Sequence, residues 1–119
     1  MAFRWEEYLQ VAQFLHAEGG TNCSKEAAER SAVSRAYYAA FCHARNYARN
    51  QHGFTPTGGP RDHQSLREFF QHREPQVATR LSTLRQWRNH CDYDDRVADL
   101  SAFVQKSLAY AEEVIHRCR

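Results

Sequence analysis

Apolar side chains recur along this chain at helical spacing, and no alternating strand pattern competes with that spacing. A first segment, about residues 2–17, carries apolar residues three or four positions apart and ends before Gly19 and Gly20. A polar stretch with several candidate N-caps then precedes a longer helical segment, about residues 25–51. The pattern therefore predicts two helices in the first half of the chain.

The second helix is expected to be central. No charged residue lies between Ala36 and Cys42 on any face, and a helix that is apolar all round is normally surrounded by protein. Small side chains on this helix would let its neighbours approach closely. Its main stripe comprises Val33, Ala36, Tyr37, Ala40, Phe41, Ala44, Tyr47 and Ala48.

Three further helices complete the predicted fold. After an extended loop at residues 53–60, Asp62 can cap a short third helix, and a fourth begins near Glu74 and Pro75. Asp94 or Asp95 can cap a last helix whose apolar stripe continues to the C-terminus. The sequence predicts an all-α protein: one domain, residues 1–119, folded as an antiparallel four- to five-helix bundle.

The apolar stripe of the fourth helix becomes charged towards its end. The same three- and four-residue spacing places Arg85, Arg88 and Asp92 on the face that packs the bundle. Ionised groups that point inward are costly unless they are paired or solvated in a cleft. Arg88 and Asp92 are four residues apart and can form an ion pair, either at a polar cleft or on the surface beyond the core.

The central helix carries a second irregular face, opposite its main stripe. Arginine side chains alternate there with small and aromatic ones, a mixture that fits a cleft lining, a symmetric dimer contact or a solvated back face. The residues concerned are Ser31, Arg35, Tyr38, Cys42 and Arg49.

Composition narrows the function classes. The net charge of +2 on 119 residues does not indicate a general affinity for nucleic acid. Of 16 basic residues only Lys25 and Lys106 are lysine, a bias that suits bidentate contact with phosphate or carboxylate but also follows from a GC-rich genome.

No apolar run approaches the roughly 20 residues needed to cross a bilayer. With four cysteines, no Cys-x-x-Cys motif and no signal segment, we expect a cytoplasmic protein with reduced thiols and no membrane association.

Metal and cofactor sites are not predicted. His43, His63, His90 and Cys91 come from three segments and lack the close ligand spacing of zinc sites. Gly58 and Gly59 are followed by proline and not by the lysine of a phosphate-binding loop. We therefore expect no bound metal and no cofactor.

Two stretches together resemble the signatures of HEPN domains. Residues 31–48, "SAVSRAYYAAFCHARNYA", are similar to the Ser-Arg-x-Tyr-Tyr-Ala-x-Phe helix of that family. Residues 84–95, "LRQWRNHCDYDD", resemble its second signature, an arginine followed by Ala-Asp-Tyr or a close variant. The two stretches occur in the expected order, and His63 ahead of Phe69 also fits.

The resemblance implies a helical bundle that forms symmetric homodimers with a polar cleft at the subunit contact. Many HEPN proteins are metal-independent ribonucleases, in which an arginine and a histidine separated by four to six intervening residues promote attack by the RNA 2′-hydroxyl. Many are toxins or act beside a small nucleotidyltransferase. Others have lost the catalytic pair and bind nucleotides or RNA.

Carried over to this chain, the resemblance leaves three functions open. A ribonuclease would use Arg88 or Arg85 on the scissile phosphate and His90 as general acid or base. Tyr93 stands where the ribonuclease histidine would follow Arg88, which favours a non-catalytic module that binds nucleotide, RNA or a nucleotidyltransferase partner, with tyrosine stacking on a base or accepting a nucleotide. A purely structural protein is the third function. The candidate catalytic residues are thus Arg88, His90 and Tyr93, and the candidate binding residues are Arg35, Tyr38, Arg85 and Asp92.

Overall fold

The computed structural model describes residues 2–119, which form five α-helices and no strand. The helices are α1 (Glu7–Glu18), α2 (Lys25–His52), α3 (Asp62–Arg73), α4 (Pro75–Tyr93) and α5 (Leu100–Arg117). The predicted all-α bundle is confirmed.

Helix α2 is the centre of the bundle, and α1, α4 and α5 all pack against it. Its side of the core is built largely from alanines with no exposed surface, which allow the neighbouring helices to approach closely. Among residues 36–42 every residue is buried except Tyr38, which is half-buried. The central position predicted from the uncharged run is confirmed.

The ends of α2 have well-defined caps. The Ser24 hydroxyl accepts a hydrogen bond from the Ala27 amide at 3.0 Å and satisfies one of the free N–H groups of the first turn. At the other end Gly53 adopts a left-handed conformation with φ 74°, and its N–H donates to the carbonyl of Ala48. Helix α2 accordingly ends one residue beyond the predicted boundary.

Helix α1 begins at Glu7, five residues later than predicted. The chain enters the helix through four-residue turns, in which the amides of Glu7 and Tyr8 donate to the carbonyls of Arg4 and Trp5. The rings of Phe3, Trp5 and Tyr8 meet edge to face there. Trp5 and Tyr8 are three residues apart, as on a helix, but the same spacing also permits a compact aromatic turn.

Asp62 does not cap α3 as predicted. Its buried carboxylate instead accepts hydrogen bonds from the Thr57 hydroxyl and from the amides of Thr57 and Gly58. These bonds lower the pKa of Asp62. The side chain therefore folds the preceding loop onto the start of α3, which packs mainly against α4.

The start of α5 also differs from the prediction. Neither Asp94 nor Asp95 caps the helix, which begins at Leu100 after a left-handed Asp99 with φ 56°. The carbonyls of Asp94 and Asp95 accept hydrogen bonds from the Arg30 guanidinium on α2. Arg30 thus holds that segment against α2, and the next helix begins only at Leu100.

Candidate functional site

Arg88 lies where the apolar face of α4 meets α2. Its side chain is only 12% exposed, and its guanidinium lies over the rings of Tyr37 and Tyr38, 5.5 and 5.3 Å from their centroids. It donates to the carboxylate of Asp92 at 3.4 Å, the ion pair that their four-residue spacing predicts. The Ser34 hydroxyl on α2 contacts the same carboxylate oxygen of Asp92 at 3.4 Å. The charged end of the α4 stripe thus packs against α2.

Tyr37 connects this arginine to α3. Its buried hydroxyl forms a hydrogen bond with Nδ1 of His63. The imidazole is stacked on Phe41, with ring centroids 4.1 Å apart and planes 12° from parallel. The ring contacts fix the plane of the imidazole, and the hydrogen bond fixes its rotation within that plane.

Burial keeps Tyr37 and His63 neutral, and the nearby positive charges reinforce this for His63 only. Burial raises the pKa of the Tyr37 phenol, although Arg85, Arg88 and Arg67 oppose that shift. Burial also lowers the pKa of His63 to about 4, and here the same three arginines act in the same direction. At pH 7 the pair is therefore an uncharged phenol and an uncharged imidazole, surrounded by guanidinium groups.

Two of the three arginines carry a donor that the protein does not use. The Nε atoms of Arg85 and Arg88 are buried and have no hydrogen-bond partner among the described residues. Arg67, on α3, donates to the backbone carbonyl of His63 at 3.2 Å. Asp92 is the one carboxylate paired with an arginine of this group in the described part of the chain. A buried N–H without an acceptor is costly, so an anion that accepts these hydrogen bonds would be stabilised here.

We call this group the arginine cluster, and it brings together four of the predicted site residues. Tyr38 and Arg85 are half-buried and Asp92 is exposed, so the group opens to solvent along that edge. The members of the cluster are Tyr37, Tyr38, His63, Arg67, Arg85, Arg88 and Asp92.

His90 and Tyr93 lie elsewhere, on the outer face of α4. Their positions follow from the helical repeat, which turns His90 about 200° and Tyr93 about 140° away from Arg88. The His90 side chain is 58% exposed, and its Nδ1 forms a hydrogen bond with the carboxylate of Asp94. Tyr93 is 75% exposed, and it lines a shallow groove together with His90 and Asp94. Within one chain, neither side chain is on the face that carries Arg88.

Arg35 is separated from the cluster as well. It is exposed on α2 with its guanidinium 5.0 Å from the ring centroid of Tyr8 on α1. Of the predicted second face of α2, Cys42 is buried and Tyr38 half-buried, whereas Ser31, Arg35 and Arg49 are exposed. That face is therefore divided between the core, the cluster and solvent.

Sequence reasoning did not select Tyr37, His63 and Arg67 as site residues. Tyr37 belonged to the apolar stripe, but a phenol on a buried stripe needs a hydrogen-bond partner, and this was the available signal. His63 and Arg67 are on α3, and no pattern in the sequence indicates which face of α3 turns towards α2. Only the packing of α3 brings them to the cluster.

Residues 2–119 contain no group of three or more histidine, cysteine or acidic side chains that could hold a metal ion. No helix in that range is long and apolar enough to span a membrane. Comparisons of the chain with protein-family models, curated proteins and solved structures find no significant match.

Proposed function

We propose that this chain is a HEPN-like module that binds the phosphate of a nucleotide or an RNA at the arginine cluster. The observation that carries the proposal is the pair of buried, unpartnered Nε donors on Arg85 and Arg88. Guanidinium groups with free donors suit phosphate because they can bind it through two parallel hydrogen bonds.

The surroundings of the two arginines favour a nucleotide over a bare anion. Tyr38 is half-buried beside Arg88, where its ring can stack on a base while the arginines bind the phosphate. Asp92 holds Arg88 only through a long 3.4 Å contact. An incoming phosphate can displace this carboxylate, which is exposed to solvent.

The wider setting of the proposal comes from the resemblance of residues 31–48 and 84–95 to HEPN signatures. By that resemblance the module forms a homodimer and acts with a small nucleotidyltransferase in a toxin-antitoxin or defence-like system. In this setting the exposed Tyr93 hydroxyl is accessible to a partner enzyme that transfers a nucleotide. The homodimer and the nucleotidyltransferase partner are proposed on the basis of the resemblance alone.

Calorimetric titration with ATP, AMP and a short single-stranded RNA tests the binding proposal. Arg85→Gln and Arg88→Gln should each weaken binding about tenfold, the loss of roughly one charge-assisted hydrogen bond. Arg88→Lys, which keeps the charge but loses the planar fork, should fall between wild type and Arg88→Gln. Arg49→Gln removes an exposed arginine outside the cluster and should leave affinity unchanged. Absence of heat with all three ligands, with folded protein verified by circular dichroism, would contradict the proposal and leave a structural role.

A metal-independent ribonuclease is the second candidate, and one observation favours it. The neutral imidazole of His63 lies beside three arginines, so a potential proton acceptor and phosphate-binding groups occur together. The pair Arg88 and His90 would instead require a second subunit, because the two side chains leave α4 on different faces.

RNA cleavage in EDTA separates these mechanisms. Loss of cleavage in Arg88→Gln and His63→Gln, but not in His90→Gln, would support catalysis within one chain. Loss in Arg88→Gln and His90→Gln, with His63→Gln active, would support a pair formed across a dimer. Cleavage that persists in Arg88→Gln and in both histidine variants would exclude ribonuclease activity at either pair.

A further inference from the structure

A separate cavity of about 280 Å³ lies near the C-terminal end of α2, between that helix, α3 and the end of α5. Tyr47 stands ten residues after Tyr37 on α2, which places the cavity about 15 Å along the helix axis from the arginine cluster. The cavity is lined by Tyr47, His52, Phe69, Phe70, Arg73, Glu74 and Arg117.

The walls are mainly aromatic. Tyr47 and Phe70 are nearly parallel, with planes 13° apart and centroids separated by 6.4 Å. Phe69 stands at 88° to Phe70 with its centroid 5.2 Å away. The Tyr47 hydroxyl and Nε2 of His52 are 3.2 Å apart, a hydrogen bond that holds both rings in place. A planar ring entering the cavity would find ring faces and edges already fixed, which lowers the entropic cost of binding.

One unneutralised positive charge stands at this cavity. Arg117 is paired with Glu74 at 3.0 Å and with Glu113 at 3.3 Å. Arg73 lies 4.8 Å from the Phe69 ring centroid and has no carboxylate partner among the described residues. A cationic ligand would be repelled by Arg73, whereas a ligand with one negative charge would pair with it.

We propose that this cavity binds a small planar aromatic carboxylate, with its ring against Tyr47 and Phe69 and its carboxylate on Arg73. The volume is just below the roughly 300–1,000 Å³ of pockets for drug-sized molecules, so the ligand has one ring or two fused rings. The site shares no residue with the arginine cluster and does not depend on the function proposed for that cluster.

Titration of ¹⁵N-labelled protein with indole-3-carboxylate tests the proposal, and two matched probes separate its parts. Indole has the ring without the charge, and cyclohexanecarboxylate has the charge without the aromatic ring. Amide shifts should be confined to the end of α2, to α3 around Phe69 and to Arg117. Both matched probes should bind at least about fivefold more weakly than indole-3-carboxylate.

Variants identify the contacts. Arg73→Gln should weaken the binding of indole-3-carboxylate at least about fivefold and leave the binding of indole unchanged. Arg61→Gln, which removes an exposed arginine next to α3, should bind like wild type. Phe69→Leu should weaken the binding of both aromatic probes. If that variant does not fold, Arg73→Gln alone tests the proposal, because Arg73 is exposed and its substitution should not affect folding. Equal affinity of wild type and Arg73→Gln, shifts elsewhere in the protein, or no saturation by about 5 mM would overturn the proposal.

Discussion

The hydroxyl of Tyr37 on α2 and Nδ1 of His63 on α3 are joined by a hydrogen bond beneath the three arginines of the cluster. Tyr37 is 1% exposed, so neither water nor another side chain can readily replace this contact. The bond ties α3, which packs mainly on α4, directly to the central helix.

Tyr37→Phe should therefore lower the free energy of unfolding by about 1–3 kcal/mol, because it leaves a ring nitrogen of His63 without its partner while the packing volume is kept. Urea unfolding followed by circular dichroism measures the change. Tyr93→Phe removes a hydroxyl that is exposed and should change stability by less than about 0.5 kcal/mol. A Tyr37→Phe variant as stable as wild type would show that the hydrogen bond contributes nothing net.

Stability should fall in mild acid through His63. Its folded-state pKa is about 4, against 6.5 for an ordinary histidine, so between these values the unfolded chain binds more protons than the folded one. The contribution of His63 to the free energy of unfolding is complete above about pH 6.5 and is lost as the pH falls towards 4.

The urea midpoint at pH 7, 6 and 5 tests this expectation. The midpoint of wild type should decrease through the series, and His63→Gln should remove part of that decrease. Partial exposure of the imidazole to solvent reduces the size of the effect. His116→Gln changes an exposed histidine on α5 and should reproduce the wild-type slope. The same slope in His63→Gln would show that other groups cause the acid sensitivity.

Arg30 should stabilise the end of α4. Its guanidinium donates to the backbone carbonyl of Cys91 in the last turn of α4 and to those of Asp94 and Asp95 just beyond it. Arg30→Met keeps much of the side-chain volume but removes the donors, and we expect a loss of about 2 kcal/mol in the free energy of unfolding.

Two variants serve as controls for Arg30. Arg30→Lys retains the charge without the planar fork and should lose less stability than Arg30→Met. Arg96→Met removes an exposed arginine just after the same segment and should change stability by less than about 0.5 kcal/mol. Equal stability of Arg30→Met and wild type would show that the carbonyls are satisfied equally well by water.

Thiol labelling should distinguish one cysteine from the other three. Cys23 is exposed, whereas Cys42, Cys91 and Cys118 are buried. Burial raises the pKa of Cys42, raises that of Cys91 to about 11 and raises that of Cys118 to about 12, so little thiolate is present near neutrality.

With an aromatic disulfide reagent at pH 7.5, one thiol should react rapidly and three should react at least roughly a hundredfold more slowly until the protein is unfolded. Cys23→Ser should abolish the rapid phase, and Cys42→Ser should leave it intact. More than one rapidly reacting thiol in the folded protein would contradict the buried positions of the other cysteines.

The amino-acid sequence was sufficient to predict the helical bundle, the central position of α2 and the ion pair of Arg88 with Asp92. Helical periodicity is a local property, and residues three or four apart share a face whatever the rest of the chain does. The predicted boundaries were wrong at α1 and α5, where the structure has an aromatic turn and a segment bound by Arg30.

The candidate site depended more strongly on tertiary structure. The sequence placed Arg85, Arg88 and Asp92 on one face of α4, but the same helical repeat sends His90 and Tyr93 outward. That Tyr37, His63 and Arg67 surround the arginines was decided only by packing, because the rotation of α3 relative to α2 and α4 is set by contacts between residues distant in the chain. Local spacing thus determined which face of each helix is charged, and only tertiary packing determined which charged faces meet.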